Sequence, residues 1–206
     1  LLSLGVTIQD FGMPTTDGIQ ARSERTRKAV AEAMLDCFED GLLQPGAKDV
    51  AERAGVSPRA VFRHFDHMEA LVERAAELQI ERVMSQLPPV VLEGTQAERI
   101  AALIARAARG FELSAPVRRA ALLSEPFSQT IRQRHAWIRG EIRRQVRRVL
   151  ALELSELPEA ERRARIAGLR ALLSFSFWDE LRQHERLSVA AATRALSTAI
   201  HALLRS

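Results

Sequence analysis

The chain has 206 residues, 47% of them hydrophobic and 27% charged, enough to bury one core or two smaller ones and too apolar for disorder as its main state. It holds a single cysteine, Cys37, so no internal disulfide can form, and it has no apolar stretch of membrane-spanning length and no clustered zinc-ligand spacing. The formal charge of +4 suggests nucleic acid, but its distribution removes that argument: residues 21–85 carry 10 basic against 12 acidic side chains, residues 86–206 carry 20 against 12.

Ala, Leu, Arg and Glu dominate, aromatics are few and Tyr is absent, which predicts an all-α chain of about nine helices. Residues 1–20 mix Gly, Thr, Asp and Pro without period and are expected to form a disordered N-terminal arm, within which Met13 is a candidate natural start. The opening residues lack the charge and apolar run of a signal peptide, and the single cysteine fits a cytoplasmic location.

From Ser23, Val30, Met34, Cys37 and Phe38 recur at helical spacing up to Gly41, with Pro45-Gly46 as the breaker. Cys37 falls on that apolar stripe and reads as a buried small hydrophobe. Two short helices, 47–54 and 58–65, flank Gly55-Val56-Ser57. Asp66 with Glu69 resembles a capping box opening a connecting helix over 67–87, which Pro88 and Pro89 stop. Thr95 with Glu98 caps a helix to about Leu113, and Pro116 is expected to open a short one. Pro126 is expected to start a long helix reaching about Leu154, and Pro158 another reaching about Glu185. Ser188 then caps the last helix.

The segment from Ala47 to Phe65 carries the sharpest signal. Ala51 is small where two helices cross closely, Gly55 suits a left-handed turn, and Val50, Ala54, Val56 and Val61 supply a small core. Ser57 caps the second helix and Pro58 takes its first position, where a missing N–H costs nothing. This pattern presents a recognition helix to a DNA major groove. Val61 and Phe65 face inward by the same spacing.

Residues 23–73 resemble the DNA-binding domain of the tetracycline-repressor (TetR) family. The carrying segments are Arg25-Thr26-Arg27-Lys28, then Asp49-Val50-Ala51-Glu52-Arg53-Ala54-Gly55-Val56-Ser57, Val61-Phe62-Arg63-His64-Phe65 and Glu69-Ala70-Leu71. The resemblance implies a helix-turn-helix domain over 21–66 and a helical ligand-binding and dimerisation domain over 88–206. It places Pro58, Arg59, Ala60, Phe62, Arg63 and His64 toward the groove and Lys48 and Arg25 near phosphates, with Ser57 also among the DNA-binding residues. Arg59 or Arg63 can donate two hydrogen bonds to guanine, each such pair being worth about 1–3 kcal/mol of discrimination. Where the family commonly has a capping Thr, a Tyr and a Lys, this chain has Pro45-Gly46, Phe62 and Met68, so its non-specific DNA affinity is expected to be lower.

The function implied is a ligand-responsive regulator, most simply a repressor that acts as a homodimer on double-stranded operator DNA and releases it on binding a small apolar or amphipathic effector. A helical scaffold without DNA binding is the alternative. No nucleophile elbow, phosphate loop or paired-carboxylate signature is present, so no enzyme activity, cofactor or metal site is expected; His184-Glu185 starts a zinc-helix motif, but position 188 is Ser. Phe111, Phe127, Trp137, Phe175 and Trp178 are candidates to line an effector pocket, though core packing explains them about as well. Leu169, Leu173, Phe177, Leu196, Ile200 and Leu203 form apolar faces that serve either intrachain burial or, as the resemblance implies, a four-helix dimer interface. Gly168 would allow close helix approach there. The arginines between Arg132 and Arg148 read as a solvated helix face and are assigned no function.

Overall fold

A computed structural model describes residues 16–205, all of whose regular structure is helical. Ten α-helices appear among them: α1 (Thr16–Glu39), α2 (Ala47–Ala54), α3 (Pro58–His64), α4 (Met68–Met84), α5 (Gln96–Ser124), α6 (Gln129–Val149), α7 (Ala151–Ser155), α8 (Glu159–Leu172), α9 (Phe175–Asp179) and α10 (Val189–Arg205). A 3₁₀ turn (Glu125–Phe127) precedes α6 and a π-helical turn (Glu180–His184) follows α9. The proposed arm over residues 1–20 and the candidate start at Met13 lie largely outside the described residues. Its last five residues, 16–20, are helical, so the first helix begins earlier than Ser23.

Two apolar cores organise the chain. The first joins Val30, Met34, Cys37 and Phe38 of α1 with Val50, Ala51, Val61 and Phe65, and with Leu71, Ala75 and Leu78 of α4. The second gathers Ile100, Ile104 and Phe111 of α5 with Val146 and Val149 of α6, and with Ile166, Leu169, Trp178, Leu196 and Ile200 from the C-terminal helices. Helix α5 reaches both, since Val117 and Ala120 pack on the first. This explains why α5 runs unbroken through Pro116 where the sequence suggested two helices. The proline removes one donor, but the half-turns on either side are each held in a core, and that packing outweighs the lost bond.

Other boundaries differ for similar reasons. Helix α4 is capped by His67, whose Nδ1 accepts from Ala70 N–H at 3.0 Å, and not by Asp66; Glu69 reaches across to α6 instead of back to the cap. Pro126 sits in the 3₁₀ turn, and Ser128 caps α6 by accepting from Ile131 N–H. Helix α6 stops at Val149, short of Leu154, because the Val149 carbonyl accepts from buried Arg99 Nε at 3.0 Å. The helix expected to run to Glu185 breaks after Leu172, where Ser174 turns extended and caps α9 through Phe177 N–H. The Thr95–Glu98 capping box forms as the spacing predicts, and Ser188 accepts from Ala191 N–H at the start of α10.

Candidate nucleic-acid interface and cavity

Helices α2 and α3 are short, and local chemistry sets the turn between them. Gly55 closes α2 at φ +66°, in the left-handed region, so the chain can reverse while Val56 N–H still reaches the Ala51 carbonyl at 3.0 Å. Ser57 then accepts from Ala60 N–H at 3.2 Å, and Pro58 occupies the first turn of α3. At the start of α2 the cap position holds Gly46, which has no side chain to cap with, and the Asp49 carboxylate accepts from Gly46 N–H at 2.8 Å. Val50, Ala51, Val61 and Phe65 are buried beneath, as the sequence spacing predicts, and Arg27 of α1 lies 5.0 Å over the Phe65 ring.

The opposite face of this unit is open. Ser57, Pro58, Arg59, Phe62 and Arg63 are exposed around α3, Ala60 is partly so, and Lys48 and Arg25 are exposed on α2 and α1. Phe62 leaves half its surface, 50%, in solvent. His64 differs from the others: it is half-buried beside Arg27 and Glu24 of α1, with Nε2 enclosed and unpartnered among the described residues. Burial, then the Arg63 and Arg27 charges, hold its pKa below the ordinary histidine value, so it faces the site as a neutral ring at pH 7.

A cavity of about 170 Å³ opens between α4, α5 and α6, with Leu173 at its far side. Val83, Met84, Phe111, Trp137, Ile138 and Ile142 give it an apolar wall; Arg106, Arg118 and Glu141 are its charged members. Of the five aromatic candidates, Phe111 and Trp137 line it. Phe127 is 75% exposed on the 3₁₀ turn and lines none of it, because that turn lies outside the packed helices. Phe175 and Trp178 stand behind the wall as core: both rings pack against Phe111 at about 6 Å, and Trp178 Nε1 donates to Glu112 at 2.8 Å. Burial opposes the Glu112 charge, but hydrogen bonds from Arg182 and Trp178 outweigh it and keep the carboxyl below its usual range.

Residues 38–75, which contain α2, α3 and the intervening turn, match the family described as bacterial regulatory proteins, tetR family. Over that segment the chain is similar to tetR-family regulators. The fold is also that of solved regulators: a transcriptional regulator from Rhodococcus sp. Rha1 superposes with a TM-score of 0.69 at 22% identity, over 87% of this chain and 96% of that one. A tetR-family transcriptional regulator from Streptomyces coelicolor gives 0.69 at 17% identity, over 87% of this chain and 79% of that one. No curated protein sequence matches the chain.

The residues expected to pair subunits are largely consumed within one subunit. Leu169, Leu173, Leu196 and Ile200 are buried in the second core, and only Phe177 and Leu203 stay partly exposed. The periodic face is therefore the intrachain face. Gly168 serves the same packing: a Cβ there would come within 2.9 Å of a Leu203 methyl, so the glycine lets α8 and α10 approach closely. Among the described residues no helix is long and apolar enough to cross a membrane, and no group of His, Cys, Asp and Glu could hold a metal. Cys37 is buried on the apolar stripe of α1, and burial raises its pKa.

Sequence reading missed Arg106, Arg118 and Glu141, which give the cavity its polarity. They sit on amphipathic helices among many similar arginines and glutamates, and only the packing of α4 and α6 on α5 distinguishes them.

Proposed function

We propose that this chain is a ligand-responsive repressor of the TetR family that binds operator DNA as a homodimer and releases it when an effector fills the cavity. The observation carrying the proposal is helix α4. At one end its Leu71, Ala75 and Leu78 belong to the core that carries the recognition helix; at the other, Gln79, Ile80, Val83 and Met84 form a wall of the cavity. A ligand that moves that wall moves the seat of the DNA-binding unit.

In this reading α3 enters the major groove, with Arg59 and Arg63 reading bases and Phe62, Pro58 and Ala60 making apolar contact. Arg25, Lys48 and Ser57 meet phosphates, and His64 contributes from the edge as a neutral ring. Two copies place their recognition helices about 34 Å apart, one DNA turn, on a palindrome. An effector that prefers another spacing weakens DNA binding by its differential affinity for the two states, typically about 1–3 kcal/mol. The exposed remainder of α8 and α10 would form the subunit contact, with Phe177 and Leu203 at its margin.

Selection from a random DNA pool tests this, with Arg63→Ala as the control. A palindromic motif enriched by the native protein and lost by the variant supports the reading; no enrichment at low salt from a folded dimer favours the scaffold alternative.

A further inference from the structure

We propose that the cavity takes an amphipathic carboxylate, its acid head paired with Arg118 and its apolar body lying against Val83, Phe111, Trp137 and Ile142. This rests on the reading of the cavity as the effector site and names the chemistry of the ligand.

The cavity wall holds two guanidiniums and one carboxylate. Glu141 is already engaged, its Oε2 accepting from Arg144 at 2.5 and 3.0 Å and its Oε1 from Gln145 at 3.2 Å. Arg106, 8% exposed, donates to the Pro88 carbonyl and senses the charge of Glu141. Arg118 has neither kind of relief. Among the described residues no carboxylate lies within ion-pair distance of it, its Nε is enclosed without a hydrogen-bond partner, and the charge that acts on it is that of Arg139, of the same sign. Its guanidinium rests 5.0 Å over the Phe175 ring. Burial, then Arg139, push its pKa down to about 10, still leaving it charged at neutral pH.

An enclosed cation without an anion is a destabilising arrangement that an incoming anion relieves. The planar fork of a guanidinium suits the two oxygens of a carboxylate, and the rest of the wall suits an aliphatic or aromatic body. A neutral amphiphile would leave Arg118 unpaired, and a cationic one would be repelled by it.

The test uses the full chain and three probes of equal length: decanoate, 1-decanol and decylamine, each kept below its aggregation threshold. Binding is read from the fluorescence of Trp137, which stands in the wall, with Trp137→Phe as the assignment control. Decanoate is expected to bind about tenfold or more tighter than decanol, as a charge-assisted hydrogen bond allows, with decylamine weakest. Arg118→Gln should erase the preference for the acid while still binding decanol, and Arg118→Lys should restore part of it. Thermal unfolding checks that both variants fold; Arg118→Gln should melt no lower than the native protein, since it loses an unpaired charge.

Equal affinity for acid and alcohol, a preference that survives in Arg118→Gln, or no binding of decanoate would each overturn the proposal. Operator release separates it from the reading on which it rests. Decanoate that binds through Arg118 yet leaves the DNA complex intact supports the anion site and removes the effector role; a neutral compound that fills the cavity and frees the DNA, where acids do neither, keeps the effector role and removes the anion site.

Discussion

Glu69 of α4 and Ser128, 59 residues apart, meet at 2.7 Å, and the same carboxylate oxygen accepts from Thr130 N–H at 2.9 Å. The start of the helix beneath the DNA-binding core is thereby joined to the N-terminus of α6, whose later turns line the cavity. A carboxylate at that position also complements the positive end of the α6 dipole.

Replacing Glu69 by Ala removes both hydrogen bonds and should lower unfolding stability by about 2 kcal/mol at pH 7. Burial raises the Glu69 pKa, but hydrogen bonds from Ser128 and Thr130 outweigh it and hold it below the ordinary 4.5. Its contribution is therefore complete above pH 4.5 and fades as pH falls through the lower folded-state value. Urea unfolding of native and Glu69→Ala proteins between pH 7 and pH 3 should show the two stabilities converging at the acid end. A constant difference would remove the electrostatic part of this account.

Gly55→Ala should cost about 1–2 kcal/mol, the penalty of a side chain in left-handed backbone. Nothing lies within 4 Å of where its Cβ would stand, so the cost is conformational and not a clash. Gly55→Asn, which tolerates that conformation better, should lose less in the same denaturation experiment. If the two variants proved equally unstable, the turn would be constrained by something other than φ.

Lys48 and Arg59 are predicted to fail in different ways on DNA. Lys48→Ala should weaken specific and random duplexes alike and reduce the salt slope of log affinity by about 1. Arg59→Ala or Arg63→Ala should cost about 1–3 kcal/mol on the selected site and relax preference at one base pair. Fluorescence anisotropy over a salt series, with the selected site and a scrambled one, separates these outcomes. Identical behaviour of the Lys48 and arginine variants would contradict the assignment of base and phosphate contacts.

Arg99, 5% exposed, donates to the Val149 carbonyl at 3.0 Å and the Gly94 carbonyl at 2.8 Å and pairs with Glu153. Arg99→Met leaves Glu153 without its cation and should destabilise by about 3 kcal/mol. At roughly 2–4 °C per kcal/mol this is visible in a melting curve. Adding Glu153→Leu should recover much of the loss. A double variant no more stable than the single one would show that the two carbonyl bonds, and not the uncompensated carboxylate, carry the effect.

The helix-turn-helix was legible in the sequence because its determinants are neighbours in the chain. Gly55, Ser57 and Pro58 set the turn, and Val50, Ala51 and Val61 close a core within a dozen residues. The inward-facing leucines of α8 and α10 were equally visible as a periodic pattern, but periodicity says that a face is buried and not against what. Tertiary structure decided that Leu169, Leu173, Leu196 and Ile200 meet their own chain, and that α5 passes Pro116 unbroken. It also ended the eighth helix at Leu172, beyond which α9 and the following turn are drawn onto α5 through Trp178 and Arg182 at Glu112. Chain-local geometry is encoded by adjacent residues, whereas burial partners, helix breaks and the charge inside a cavity depend on groups tens of residues away, whose meeting only the folded packing specifies.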